Sequence, residues 1–252
     1  MDKDREMIKL NCDMGESFGA WKMGLDEEIM PLIDMSNIAC GFHASDPLTM
    51  DKTVKLAKEN SVVIGAHPGY PDLVGFGRRD LKCTFDEIEK FVIYQIGALD
   101  AICKANDIKV EFVKPHGALY NGMMRDEEIF NAIASAVSSY DKNLKLMILS
   151  SPKNENYSDI ADKYGINLLF ELFADRAYMD DGSLMPRSMK GAVLGSSDEV
   201  IQRLQFLLNN GAIKSHTQKI LKLKADCICV HGDNAHALNI VKAMRRFLSD
   251  RV

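Results

Sequence analysis

Val62-Val63-Ile64-Gly65-Ala66-His67-Pro68 is a short apolar run that ends on an imidazole and is stopped by a proline. A β-branched run bounded by a breaker reads as a buried strand that hands its last ionisable side chain to a loop. The arrangement recurs along the chain. Lys9-Leu10-Asn11-Cys12-Asp13, Asn37-Ile38-Ala39-Cys40-Gly41-Phe42-His43 and Phe112-Val113-Lys114-Pro115-His116-Gly117 all run from apolar to ionisable residues. So do Leu168-Leu169-Phe170-Glu171-Leu172-Phe173-Ala174-Asp175-Arg176 and Cys229-Val230-His231-Gly232-Asp233. Parallel strands in a β/α barrel collect their C-terminal loops on one face, and enzymes of that fold work there. The pattern predicts an enzyme.

The segments between these runs are helical, which favours parallel pairing through crossover helices. Strands are expected near 8–13, 36–41, 62–66, 110–114, 145–149, 167–172 and 227–231, and Ala192-Val193-Leu194 reads either as a short eighth strand or as a bridge to the next helix. Helices are expected near 26–34, from Asp46-Pro47 to Glu59, 84–106, 126–137, 157–164, from Ser197-Asp198 onward and 235–248. Thr84 and Glu87 have the spacing of a capping box. The fold class that follows is α/β: an irregular (β/α) barrel, as readily seven-stranded as regular and eight-stranded. No repeat or linker interrupts residues 1–252, so one barrel domain is expected. A barrel needs about 250 residues.

Composition narrows the partners. A hydrophobic content of 46% with 27% charged residues is that of a globular chain. A net charge of -5 with no Lys/Arg-rich stretch argues against nucleic acid. No apolar run approaches the roughly 18 residues that cross a bilayer. The charged start Met1-Asp2-Lys3-Asp4-Arg5-Glu6 is not a targeting peptide, and six cysteines without one suggest thiols in a reducing, cytoplasmic setting. Cys227-Ile228-Cys229 reads as strand packing rather than a metal knuckle.

Side chains two apart on a strand share a face, so Asn11 with Asp13, Asn37 with His43, Lys114 with His116, and His231 with Asp233 can point together. His67 and Glu171 join from two further strands. Four of the six histidines, His43, His67, His116 and His231, hold the same place after different strands, which sets them apart from His216 and His236. Acids, an ammonium and imidazoles at one barrel mouth suit proton transfer near neutral pH. Asp13, His43, His67, Lys114 and His116 are the candidate catalytic residues. Asn11, Asn37, Glu171 and His231 are candidates for holding a substrate. Arg78 and Arg79, in the glycine-rich stretch 65–79, and Arg176 are candidates for an anion. Asp13, His43 and His67 could hold a divalent metal, being a carboxylate with two imidazoles. Neither a phosphate loop nor a G-x-G-x-x-G stretch is present.

These segments together resemble the LamB/YcsF family across almost the whole chain. The resemblance rests on Leu10-Asn11-Cys12-Asp13-Met14-Gly15-Glu16, Asn37 to Ala44, Gly65 to Asp72, Gly75-Phe76-Gly77-Arg78-Arg79, Lys114 to Asn121, Phe173-Ala174-Asp175-Arg176 and Val230-His231-Gly232-Asp233. Ser45 stands where the family usually has glycine, and Ala235 where proline is common. The resemblance implies a barrel of the glycoside hydrolase/deacetylase type. It also implies hydrolysis of 5-oxoproline to glutamate with ATP as co-substrate, together with 5-oxoprolinase partner subunits B and C. Without a phosphate loop here, the partners are expected to activate the lactam. Asp13 or a nearby imidazole would then deprotonate water, while Lys114, His116 and the arginines would stabilise the phosphate and the developing charge. The competing expectation is a metal-dependent deacetylase or amidohydrolase acting alone on an N-acyl compound.

Overall fold

The computed structural model describes residues 8–230 and 237–250. Nine strands are present among them: β1 (Lys9–Met14), β2 (Met35–Ala39), β3 (Val63–His67), β4 (Val110–Val113), β5 (Lys145–Leu149), β6 (Asn167–Phe173), β7 (Ala212–Lys214), β8 (Ile220–Lys222) and β9 (Cys227–Val230). Seven of them close a barrel in the order β1-β2-β3-β4-β5-β6-β9, and every neighbouring pair is parallel. These are the seven strands read from the sequence. The eighth candidate, Ala192-Val193-Leu194, makes no strand; Val193 forms only an isolated bridge with Arg176. β7 and β8 pair as a small antiparallel hairpin outside the barrel, unforeseen because three-residue strands carry too little periodicity.

The helices are α1 (Asp26–Ile29), α2 (Pro47–Glu59), α3 (Phe85–Ala105), α4 (Gly117–Met123), α5 (Glu127–Tyr140), α6 (Asn154–Tyr164), α7 (Ser197–Asn210) and α8 (Ala237–Ser249). The expected helix near 26–34 is a single α turn followed by a 3-10 turn at Met30–Leu32, because Pro31 cannot donate to the ladder. Asp46 caps α2 by accepting from Leu48 N and Thr49 N, with Pro47 in the first turn. Thr84 and Glu87 form the expected capping box on α3. α4 was unforeseen: it starts directly after His116 with no side-chain cap and contains two glycines. None of the described helices is long and apolar enough to cross a membrane.

Alternate residues of each strand face helices or the barrel axis. Leu10, Cys12 and Met14 of β1 join the large core cluster with the helices, so Asn11 and Asp13 face inward. At the N-terminal end of the barrel Met35, Phe112, Met147 and Cys227 form an apolar plug. Gly65 is required there: a Cβ would lie 2.1 Å from the Phe112 ring. Cys227 therefore packs as expected.

Candidate active site

The floor of the site is built by one polar network across the barrel axis. Lys114 Nζ lies 3.1 Å from Asp13 Oδ1 and 3.1 Å from Glu171 Oε2, and donates to Cys229 Sγ at 3.1 Å. Asn37 Nδ2 donates to Asp13 Oδ1 at 2.8 Å and to Asn11 Oδ1 at 2.9 Å. Asn11 Nδ2 in turn donates to Cys227 Sγ at 3.3 Å and to Glu171 Oε2 at 3.4 Å. Burial opposes the ammonium of Lys114, but Asp13, Cys229 and Glu171 hold its pKa well above the ordinary value. Lys114 is therefore a fixed cation. The buried pair is satisfied on several sides, which is the condition under which such a pair survives.

Three imidazoles stand beside this network. His67 Nδ1 donates to Lys114 O at 2.7 Å, and its Nε2 lies 3.4 Å from Asp13 Oδ2. His116 Nε2 donates to Phe76 O at 2.9 Å, and its Nδ1 lies 3.0 Å from His67 Nε2. His43 stacks on His116 with ring centroids 3.7 Å apart. Gly77, at φ 61, leaves room for both residues: a Cβ there would lie 2.8 Å from the His116 ring and 2.8 Å from His43 Cβ. Burial, with the neighbouring imidazoles, holds His43 and His116 well below the ordinary histidine value, so both are neutral at pH 7.

Above the floor opens a cleft of about 1100 Å³ lined by Asp13, His67, Lys114, His116, Arg78 and Arg176, among others. Arg176 is 7% exposed; its Nη2 donates to Met185 O at 2.7 Å and its Nε to Ala192 O at 3.3 Å. Arg78 packs its guanidinium 4.9 Å from the Phe76 ring centroid. Two arginines on the wall and a fixed ammonium below suit an anionic ligand.

The geometry corrects several expectations. Arg79 does not line the cleft; it bonds to the buried Asp72 and braces the loop. Asn11, Asn37 and Glu171 are not among the residues that line the cleft; they bond to one another, to Asp13 and to Lys114 beneath it. His216, set aside as a surface residue, lines the cleft. His231 lies outside the described residues. A carboxylate outside the expected set, Glu16, lies with all three imidazoles: Glu16, His43, His67 and His116 each offer an atom within 4.8 Å of the others, a cluster that could bind a metal ion. Asp13 meets His67 Nε2 at 3.4 Å and is also engaged by Asn37 and Lys114. Glu16 was missed because Gly15, at φ 69, turns the chain after β1, and no strand periodicity continues through that turn.

The model of the LamB/YcsF family matches residues 8–252. The chain belongs to the LamB/YcsF family. It is 52% identical over 248 residues to the A subunit of 5-oxoprolinase from Vibrio campbellii, covering 98% of each chain. It is 48% identical over 243 residues to the A subunit of 5-oxoprolinase from Pyrococcus abyssi, covering 96% of this chain and 94% of that one. The lactam utilization protein of Thermus thermophilus superposes with a TM-score of 0.91 at 40% identity, covering 98% of this chain and 97% of that one. The barrel of this LamB/YcsF chain is thus also that of a solved relative. Ser45, where the family resemblance leads one to expect glycine, has φ 76, a left-handed conformation that glycine adopts without strain.

Proposed function

We propose that this chain is the lactam-opening subunit of an ATP-dependent 5-oxoprolinase, converting 5-oxoproline to glutamate with partner subunits B and C. Asp13 carries the reading. It lies at the cleft floor between the Lys114 ammonium and His67 Nε2, where a carboxylate can take a proton from water and pass it on. The names of the relatives from Vibrio campbellii and Pyrococcus abyssi support the substrate and the multi-subunit setting.

The chemistry explains the need for ATP. A five-membered lactam is an unactivated amide, and opening it near neutral pH is uphill. Transfer of the ATP γ-phosphoryl group to the amide oxygen, assigned here to the partners, activates the ring carbon. Water then adds to that carbon as Asp13 takes its proton. The ring nitrogen must be protonated before phosphate departs, because loss of phosphate first would regenerate the lactam. Asp13, having taken the proton from water, lies at the cleft floor where it can return that proton to the ring nitrogen. Breaking the C–N bond leaves a γ-glutamyl phosphate, and a second water releases orthophosphate and glutamate. Arg78 and Arg176 hold the phosphoryl group, and Lys114 offsets the developing oxyanion. A cytoplasmic setting belongs to the same proposal, supported by six free thiols.

The decisive experiment is glutamate release from 5-oxoproline and ATP with the reconstituted subunits. Asp13→Asn should lower turnover by about 10²–10⁴-fold, the range for loss of a general base. Near-normal turnover would remove Asp13 from the mechanism. Hydrolysis of N-acyl compounds by this chain alone, without ATP, would replace the proposal with that of a deacetylase.

A further inference from the structure

The three imidazoles pose a problem that their own hydrogen bonds create. His67 Nδ1 faces the carbonyl of Lys114 and His116 Nε2 faces that of Phe76; carbonyls only accept, so both outer nitrogens carry the proton. In the neutral rings the inner nitrogens, His67 Nε2 and His116 Nδ1, are then bare. They face each other at 3.0 Å, lone pair to lone pair. His43 is wholly buried, and neither of its ring nitrogens makes a hydrogen bond. Such an arrangement is costly without a cation between the lone pairs.

The geometry points to a site for one divalent first-row transition-metal ion of the zinc class, held by Glu16 Oε1, His67 Nε2 and His116 Nδ1, with an open position toward the cleft. Metal–nitrogen bonds of about 2.0–2.1 Å in tetrahedral geometry place neighbouring ligand atoms about 3.3 Å apart. His67 Nε2 to His116 Nδ1 is 3.0 Å, and His116 Nδ1 to Glu16 Oε1 is 3.6 Å. The His67 and His116 rings are near perpendicular, at 88°, so both planes can contain one ion. His43 cannot be a fourth ligand of that ion. Its ring is parallel to His116 within 1°, and two stacked planes share no point to which both lone pairs aim. It supports the site instead, with Nε2 3.4 Å from Glu16 Oε1. Two imidazoles whose outer N–H groups donate to backbone carbonyls are the usual outer shell of a metal centre. Because His67 and His116 line the cleft, the open position faces the ligand.

This inference stands apart from the lactam reading and is tested without activity. Metal analysis of the purified full chain should give about one equivalent, and Co²⁺ added to metal-stripped protein should produce visible d–d absorption. His116→Asn should abolish both, while His43→Asn should retain the absorption with metal affinity weakened about 10–100-fold. His216→Asn, outside the cluster, should leave metal content and Co²⁺ absorption unchanged. Should His116→Asn fail to fold, the Co²⁺ spectrum of the wild-type chain decides. Wild-type protein without bound metal and without Co²⁺ absorption would overturn the site and leave a proton shared between His67 and His116. Unchanged metal affinity in His116→Asn would overturn it as well.

Discussion

The two ends of the barrel are made by the same strands and solve opposite problems. At the N-terminal end the inward residues are Met35, Phe112, Met147 and Cys227, an apolar plug. Two residues further along the same strands stand Asn37, Lys114, Leu149 and Cys229, and Asn11, Asp13 and Glu171 join them. The plug owes its stability to dispersion and removal from water, which is indifferent to pH. The polar floor owes its stability to paired charges and the hydrogen bonds that link them, so deleting one member strands the others. A barrel can therefore be rigid at one end and chemically active at the other within about two residues of strand.

That contrast can be broken by mutation at either end. The largest effect is expected from Lys114→Met, which leaves Asp13 and Glu171 buried without their cation. It should remove turnover and cost about 3–5 kcal/mol of stability at pH 7. The sign of its pH dependence is distinctive. Stranded carboxyls titrate higher in the folded than in the unfolded chain, so the deficit should shrink as pH falls and they protonate. Urea unfolding between mildly acid and neutral pH reads this; a pH-independent deficit would show that the carboxylates are not stranded.

Next in size comes Met147→Ala at the plug. It opens a cavity and should cost about 2–5 kcal/mol, with no change in slope across the same pH range. A pH-dependent cost there would erase the distinction between the two ends.

The smallest effect sharpens the comparison from outside the barrel. Asp46 accepts from Gly19 N, Thr49 N and Oγ1, and Leu48 N, which lowers its pKa from 3.8 to about 2. A carboxylate depressed on folding contributes above its unfolded pKa and loses that contribution as pH falls through 4 toward 2. Asp46→Ala should cost about 1 kcal/mol at neutral pH. The wild-type and variant unfolding curves should converge near pH 2; a gap that persists there would refute the cap as its origin.

The seven barrel strands were legible because parallel strands buried on both sides must be continuous apolar runs, and runs such as Lys145–Leu149 are unmistakable. The convergence of His43, His67 and His116 was legible too, since each follows a strand of one parallel set. Arg78 and Arg79 were not separable. They are adjacent and chemically identical, and only the fold sends one to the cleft and the other to Asp72. Glu171 read as a substrate ligand because its strand position was clear, whereas its depth below the floor depends on barrel stagger.

The order of apolar runs and helical spacers, by itself, determined a parallel barrel with acids, imidazoles and a lysine at its mouth, because hydrophobic period and chain connectivity are local properties. Only the tertiary structure decided that Glu16 joins all three imidazoles, and which nitrogens carry protons. Those outcomes depend on distances of 3–4 Å between residues far apart in the chain, set by a turn at Gly15 and by the carbonyls of Lys114 and Phe76. No one-dimensional pattern encodes which lone pairs will meet.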